Sequence, residues 1–175
     1  MNHSVEQIVQ KNLPFTTATD DDAGPRAEWR SPAATVACML AGNAHVTFQS
    51  RRTGTRFTYR VRAAKPRLEE TPGAVTVGSG GPSHFVSVLT SPDHYEYLGC
   101  IYRRTNYAHG RKSTISMKAQ SAVAFAWVWP YLTSGRMHPE LAIYHEGRCG
   151  ACGRRLTDPT SIETGLGPVC AGRTS

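Results

Sequence analysis

The sequence has no acidic residue between Arg51 and Arg67, and none between Tyr97 and Pro139. The first stretch holds seven basic residues; the second holds Arg103, Arg104, Arg111, Lys112, Lys118 and Arg136. The first 30 residues run the other way, with Glu6, Asp20, Asp21, Asp22 and Glu28 against Lys11, Arg26 and Arg30. The formal net charge is +7, and the excess lies in the rest of the chain. That balance excludes an acidic mimic of DNA. It attracts polyanions: nucleic acid first, an anionic membrane or an acidic protein second.

Long apolar runs are also missing. None reaches the roughly 18–20 residues of a membrane span. No basic n-region leads into an apolar h-region, so no signal peptide is expected. The expectation is an intracellular, reducing setting, where clustered cysteines favour metal over disulfides. P-loop, GxSxG and HExxH patterns are absent, and with them the common routes to a named reaction. His84, His94, His109 and Glu96 could be paired on paper as acid and base, but seven histidines give many such chance pairs. The chain is read as non-catalytic. It carries no internal repeat.

What the sequence does contain is an α+β pattern. Residues 1–30 read as weakly structured, with TTATDDDAGP as linker. Residues 31–41 read as a helix, with Ser31 as N-cap, Pro32 in the first turn and Gly42 at the stop. Val36, Met39 and Leu40 would face the core, and Cys38 beside them reads as a buried, inert thiol. AHVTFQS and GTRFTYRVR then read as strands of a hairpin joined by RRTG. In the second, Thr55, Phe57, Tyr59 and Val61 point one way and Arg56, Thr58, Arg60 and Arg62 the other. Like charges stacked on one sheet face cost stability unless something anionic sits there. Residues 64–83 read as a long loop. HFVSVLT and YEYLGCIYRR form a second hairpin about the SPDH turn. Val86 and Val88 share a face, as do Tyr95, Tyr97 and Ile101, and Cys100 is a packing thiol. Residues 106–117 add a short fifth strand. A largely buried helix spans 118–134, with Pro130 ending or kinking it, Gly135 closing it, and Trp127 and Trp129 anchoring the core.

The remaining chemistry lies in HEGRCGACGRRLTDPTSIETGLGPVC, residues 145–170. Cys149-x2-Cys152 is the turn that lets two thiolates reach one ion. Cys170 returns after seventeen residues, at the spacing of the second half of a zinc ribbon, but without a second CxxC. A closed tetrahedral site needs a fourth ligand. His145, four residues before Cys149, is the first choice, and His138, Asp158, Cys38 and Cys100 are the rivals. The predicted set is therefore His145, Cys149, Cys152 and Cys170 around Zn2+, a structural site.

The same residues resemble a small zinc-ribbon-like family of unknown function found at the C-terminal ends of phage and mobile-element proteins. The match rests on Cys149, Cys152, Gly153-Arg154, Leu156-Thr157, Pro159, Ser161, Gly165, Gly167-Pro168 and Cys170, with His145-Glu146-Gly147 as lead-in. It covers about the last 30 residues. The resemblance implies metal binding, a bacteriophage or mobile-element origin, and thus a bacterial cytoplasm. It implies no reaction. By analogy alone it favours nucleic acid, since relatives of this module are joined to helicase-like proteins.

The expected organisation is residues 1–30 as a weakly structured segment, 31–137 as an α+β domain, and 138–175 as a zinc-binding module. The domain would be a small antiparallel sheet of two hairpins on one or two helices. The expected function is binding to nucleic acid or a nucleoprotein complex through Arg51, Arg52, Arg56, Arg60, Arg62, Arg103, Arg104, Arg111 and Lys112. The alternative is an inhibitor of a host defence system, such as an anti-CRISPR protein, acting by protein–protein binding.

Overall fold

A computed structural model describes residues 28–65 and 82–173. The N-terminal segment, most of the 64–83 loop and the last two residues lie outside them. The architecture is α+β, with one antiparallel six-stranded sheet. Its strands are β1 (Asn43–Ser50), β2 (Arg56–Ala63), β3 (Pro82–Ser91), β4 (His94–Tyr102), β5 (Asn106–His109) and β6 (Leu141–His145). The spatial order is β5-β4-β3-β2-β1-β6. Five strands thus form a meander. Helix α2 (Gln120–Thr133) then links the β5 edge to the opposite edge, where β6 pairs with β1.

Period-2 patterning explains the strands. Ala44, Val46 and Phe48 on β1, and Tyr59 and Val61 on β2, are buried on one face. The register sets Val46 opposite Tyr59 and Phe48 opposite Phe57. Gly54 closes the first hairpin with φ of 72°, a left-handed turn that glycine adopts without steric cost. On β6, Leu141, Ile143 and His145 point inward. The lead-in to the cysteines is therefore a full sheet strand.

Both longer helices pack on this inner face. In α1 (Pro32–Met39) the Ser31 side chain accepts the Ala34 N–H at 3.3 Å, the predicted cap. Thr35, Cys38 and Met39 are buried, while Val36 is half-buried. In α2 the buried stripe is Ala122, Phe125, Val128, Trp129 and Leu132, at helical spacing. Phe125 sits at the centre, with ring contacts to Phe48, Tyr59, Tyr107 and Trp129.

Three expectations change. Pro130 lies inside α2 and does not end it; the helix runs on to Thr133, and Gly135 follows with φ of 74°. Trp129 anchors the core, but Trp127 does not: it is 40% exposed. Two residues apart on a helix are turned by about 200°, so one stripe cannot hold both. On β4 a bulge opposite Val86 and Ser87 shifts the register. Leu98 and Ile101 are buried in the core, while Tyr95 and Tyr97 face away with Phe85. A bulge adds one residue to one strand and so breaks the alternation.

No helix among the described residues is long and apolar enough to cross a membrane.

Candidate metal centre and basic sheet face

The C-terminal module is built on short elements. Residues 148–155 form a tight loop closed by a bridge between Arg148 and Arg155. Gly153 takes φ of 76° just after Cys152. Helix α3 (Pro159–Thr164) is capped by Asp158, whose carboxylate accepts the Ser161 N–H at 2.9 Å. Helix α4 (Pro168–Ala171) carries Cys170. The thiol sulfurs of Cys149, Cys152 and Cys170 lie within 4.8 Å of one another. Zn–S bonds of about 2.3 Å in a tetrahedron put sulfurs about 3.8 Å apart, so small adjustments would close the group on one ion.

The electrostatics suit a cation. Burial pushes the Cys149 thiol up, but backbone N–H groups of Cys152, Gly167 and Ala151 outweigh it and bring it down to about 7. The Gly167 N–H donates to Cys149 Sγ at 3.4 Å. Cys170 moves the other way, up to about 11, chiefly through its hydrogen bond with Cys152. A divalent cation held by the three sulfurs would replace the protons they share. The three cysteines could thus hold a metal.

His145 is not part of this group. Its ring is buried and stacks on Trp29 at 4.9 Å. Its Nδ1 accepts the Gly147 N–H at 3.0 Å, and burial holds its pKa below the usual histidine value, against a smaller opposing effect of the Ile162 backbone. Gly147, with φ of 67°, turns the chain here, so His145 stays in the sheet register while Cys149 leaves it. The ring thus packs against Trp29, and its buried Nε2 has no hydrogen-bond partner. The other rivals are also engaged elsewhere. Cys38 is pushed up to about 12, first by burial, and its thiol donates to the Gly165 carbonyl at 3.4 Å. Cys100 pairs with the Tyr97 hydroxyl, and His138 packs on Trp127. Asp158 is the cap already described. Among the described residues the metal group has three members.

The predicted basic residues fall into four places. Arg56, Arg60 and Arg62 lie along β2 on the outer sheet face, away from α1 and α2. Arg51 and Arg52 sit in the β1–β2 turn, paired with Glu28 and Glu140. Arg103 and Arg104 form the β4–β5 turn, both with positive φ, at the same end as Arg62. Arg111 and Lys112 follow β5. They adjoin Gly110, which lies against the ring of Tyr97.

The outer face also carries aromatic groups that the charge pattern alone does not reveal. Phe85 is 41% exposed on β3, directly opposite Arg62. Tyr97 meets it edge-on at 6.3 Å. The Arg60 guanidinium lies over the Tyr95 ring at 4.5 Å, and its buried Nε has no hydrogen-bond partner. Burial, and then the charge of Arg62, lower the Arg60 pKa, with Tyr95 opposing them. The phase of β3 is the signal that could have found Phe85: Val86 and Val88 point inward, so Phe85, Ser87 and Leu89 must point out. Two described carboxylates act on Tyr95 at the border of this face: Glu146, 3.2 Å from His45 Nδ1, and Asp93; the Tyr95 hydroxyl also contacts the His45 ring.

Two other features are less specific. His94 and Glu96 make a solvent-exposed pair at 3.9 Å. A groove of about 400 Å³ runs between α2 and the β1–β2 hairpin, lined by Phe57, Val123, Trp127 and Leu141.

Residues 139–175 match the model of a family of unknown function, DUF6011. The match spans the cysteine module and β6 and stops short of the rest of the sheet. No curated protein and no solved structure matches the chain.

Proposed function

We propose that this protein binds nucleic acid across the outer face of its sheet, and that Cys149, Cys152 and Cys170 hold a zinc ion that stabilises the C-terminal module. The observation that carries the reading is the row Arg56, Arg60 and Arg62. These three cations share one face of a central strand, and among the described residues none has a carboxylate partner. Arg60 and Arg62 repel each other, and a polyanion laid along the strand would relieve that repulsion. Arg103, Arg104, Arg111 and Lys112 extend the positive field beyond the strand ends. Phosphate contacts of this kind position a partner and carry little sequence information, so weak sequence preference follows.

The zinc reading rests on three thiolates, the soft donors that suit zinc. The protein is read as a non-catalytic accessory factor of a phage or mobile element, working in the bacterial cytoplasm; the C-terminal motif supports that origin. Zinc-loaded protein, its metal content fixed by mass spectrometry, should shift labelled DNA and RNA in gels at low salt. Absence of any shift, with one zinc per chain bound, would overturn the nucleic-acid reading. The search would then move to an acidic protein surface, host defence complexes first.

A further inference from the structure

We infer that the preferred ligand of the outer face is an unpaired nucleotide strand, DNA or RNA, with a base stacked on Phe85 and phosphates along Arg56, Arg60 and Arg62. This rests on the nucleic-acid reading above and narrows it. Two observations carry it. The first is position. Arg60, Arg62 and Phe85 lie on β2 and β3, the two central strands of six. Strands spaced by about 4.8 Å make such a sheet about 24 Å wide from edge to edge. The major groove of a duplex is about 12 Å wide and admits a helix or a two-stranded ribbon. The centre of this sheet therefore cannot reach base edges inside a duplex groove. A single strand can lie across it.

The second observation is composition. Phe85 is a large apolar ring left 41% exposed in the middle of a cationic face. Duplex phosphates offer such a ring nothing, whereas an unpaired base offers a π-face. Its neighbours divide the work. Arg62 stands opposite it in the β2–β3 register, about one strand spacing away. Tyr97 walls its far side edge-on. Arg60 lies two residues from Arg62, or about 6.8 Å along the strand. Its guanidinium is steadied on Tyr95, and its Nε still lacks an acceptor. A base on Phe85 thus has a cation on one flank and an aromatic wall on the other, with further cations in line for its backbone. Arg103 and Arg104 lie beyond the Arg62 end to receive the strand as it leaves the sheet.

The test is fluorescence anisotropy of the full-length, zinc-loaded protein with labelled oligothymidylate and oligouridylate of about 16 nucleotides, and with a duplex of the same length, at matched salt. Both unpaired strands should bind at least about tenfold tighter than the duplex. Phe85→Ala should weaken the unpaired strands by about 5- to 100-fold and leave duplex binding within about twofold. Phe85→Trp should restore the lost affinity, because it returns a stacking ring, whereas Phe85→Leu should not. Equal or tighter binding to the duplex, or unchanged oligothymidylate affinity in Phe85→Ala, would overturn this inference and leave the broader reading standing. Failure of every oligonucleotide to bind would overturn the broader reading itself. Thermal unfolding of each variant checks that the exposed site tolerates the change.

Discussion

The sheet and the cysteine module solve the same problem by different means. The sheet buries one continuous core, from Trp29 and Met39 through Val46, Tyr59, Val86 and Ile101 to Phe125, Trp129 and Ile143. The module's own buried cluster is Cys149, Leu156 and Leu166. Ala41, Ala151, Ile162, Cys170 and Ala171 pack on it only partly buried, so its apolar area is small beside the sheet's core. The sheet is held by area, whereas the module, with a smaller cluster of its own, depends more on its seat. Part of that seat is visible: Trp29 Nε1 donates to the Glu163 carbonyl at 3.0 Å, and a Cβ on Gly165 would collide with Trp29 and Cys38. We propose that a metal held by the three thiolates supplies the remainder. The difference teaches where each part is free to change. Because the sheet is stabilised from its inner face, the outer face can carry repelling arginines and an exposed phenylalanine.

The comparison breaks most sharply at Phe125. Phe125→Ala removes the ring shared by α2, β1, β2 and β5 and should lower unfolding free energy by about 3–5 kcal/mol in urea melts. Cys149→Ser should release the metal and open the module alone. With zinc at 100 to 1,000 times its dissociation constant, the lost linkage is about 3–4 kcal/mol. Amide exchange should then become fast over 148–173 while strands β1 to β4 stay protected. Loss of protection in the strands as well would mean that the module and the sheet are one cooperative unit.

His145→Ala sharpens the same boundary with a smaller effect. It should cost about 1–3 kcal/mol through lost packing on Trp29 and keep one zinc per chain by mass spectrometry. Loss of zinc from this variant would place the imidazole among the ligands after all. The smallest effect is with pH. His84 and His145 both have pKa values held below the ordinary 6.5, in each case chiefly by burial. Such groups stay neutral in the folded chain while the unfolded chain takes up protons. Stability is therefore full above about pH 6.5 and is lost as pH falls from there through the depressed folded values. His84→Gln should flatten part of that slope in acid titrations of the melting temperature.

Much of this was legible in the residues, and the exceptions have physical causes. The two faces of β2 could be read because nothing interrupts the alternation from Thr55 to Arg62. The face of β4 could not, because a bulge leaves no mark in YEYLGCIY, where apolar and aromatic residues stand at both strand parities. The α1 cap was legible in Ser31-Pro32, whose local chemistry is sufficient by itself. Trp127 and Trp129 were not separable, since AVAFAWVW is apolar on every side. The cysteine trio could be read from spacing, because a CxxC turn is a local structure. The place of His145 was not, although a signal existed: Leu141, Ile143 and His145 share one strand parity, and that parity leads into the core. Residue type suggested a ligand, whereas register turns the ring towards the core and the close group of sulfurs does not include it.

The central claim is that the outer face binds a polyanion through the β2 arginines. The most direct measurement is the salt dependence of oligonucleotide binding for the wild-type protein and for the triple variant Arg56→Gln, Arg60→Gln, Arg62→Gln. Each phosphate contact contributes about 0.7 to the log–log slope on a single strand. The account predicts a fold left intact by circular dichroism, weaker binding, and a slope shallower by about 2. An unchanged slope and affinity in a folded triple variant would contradict it.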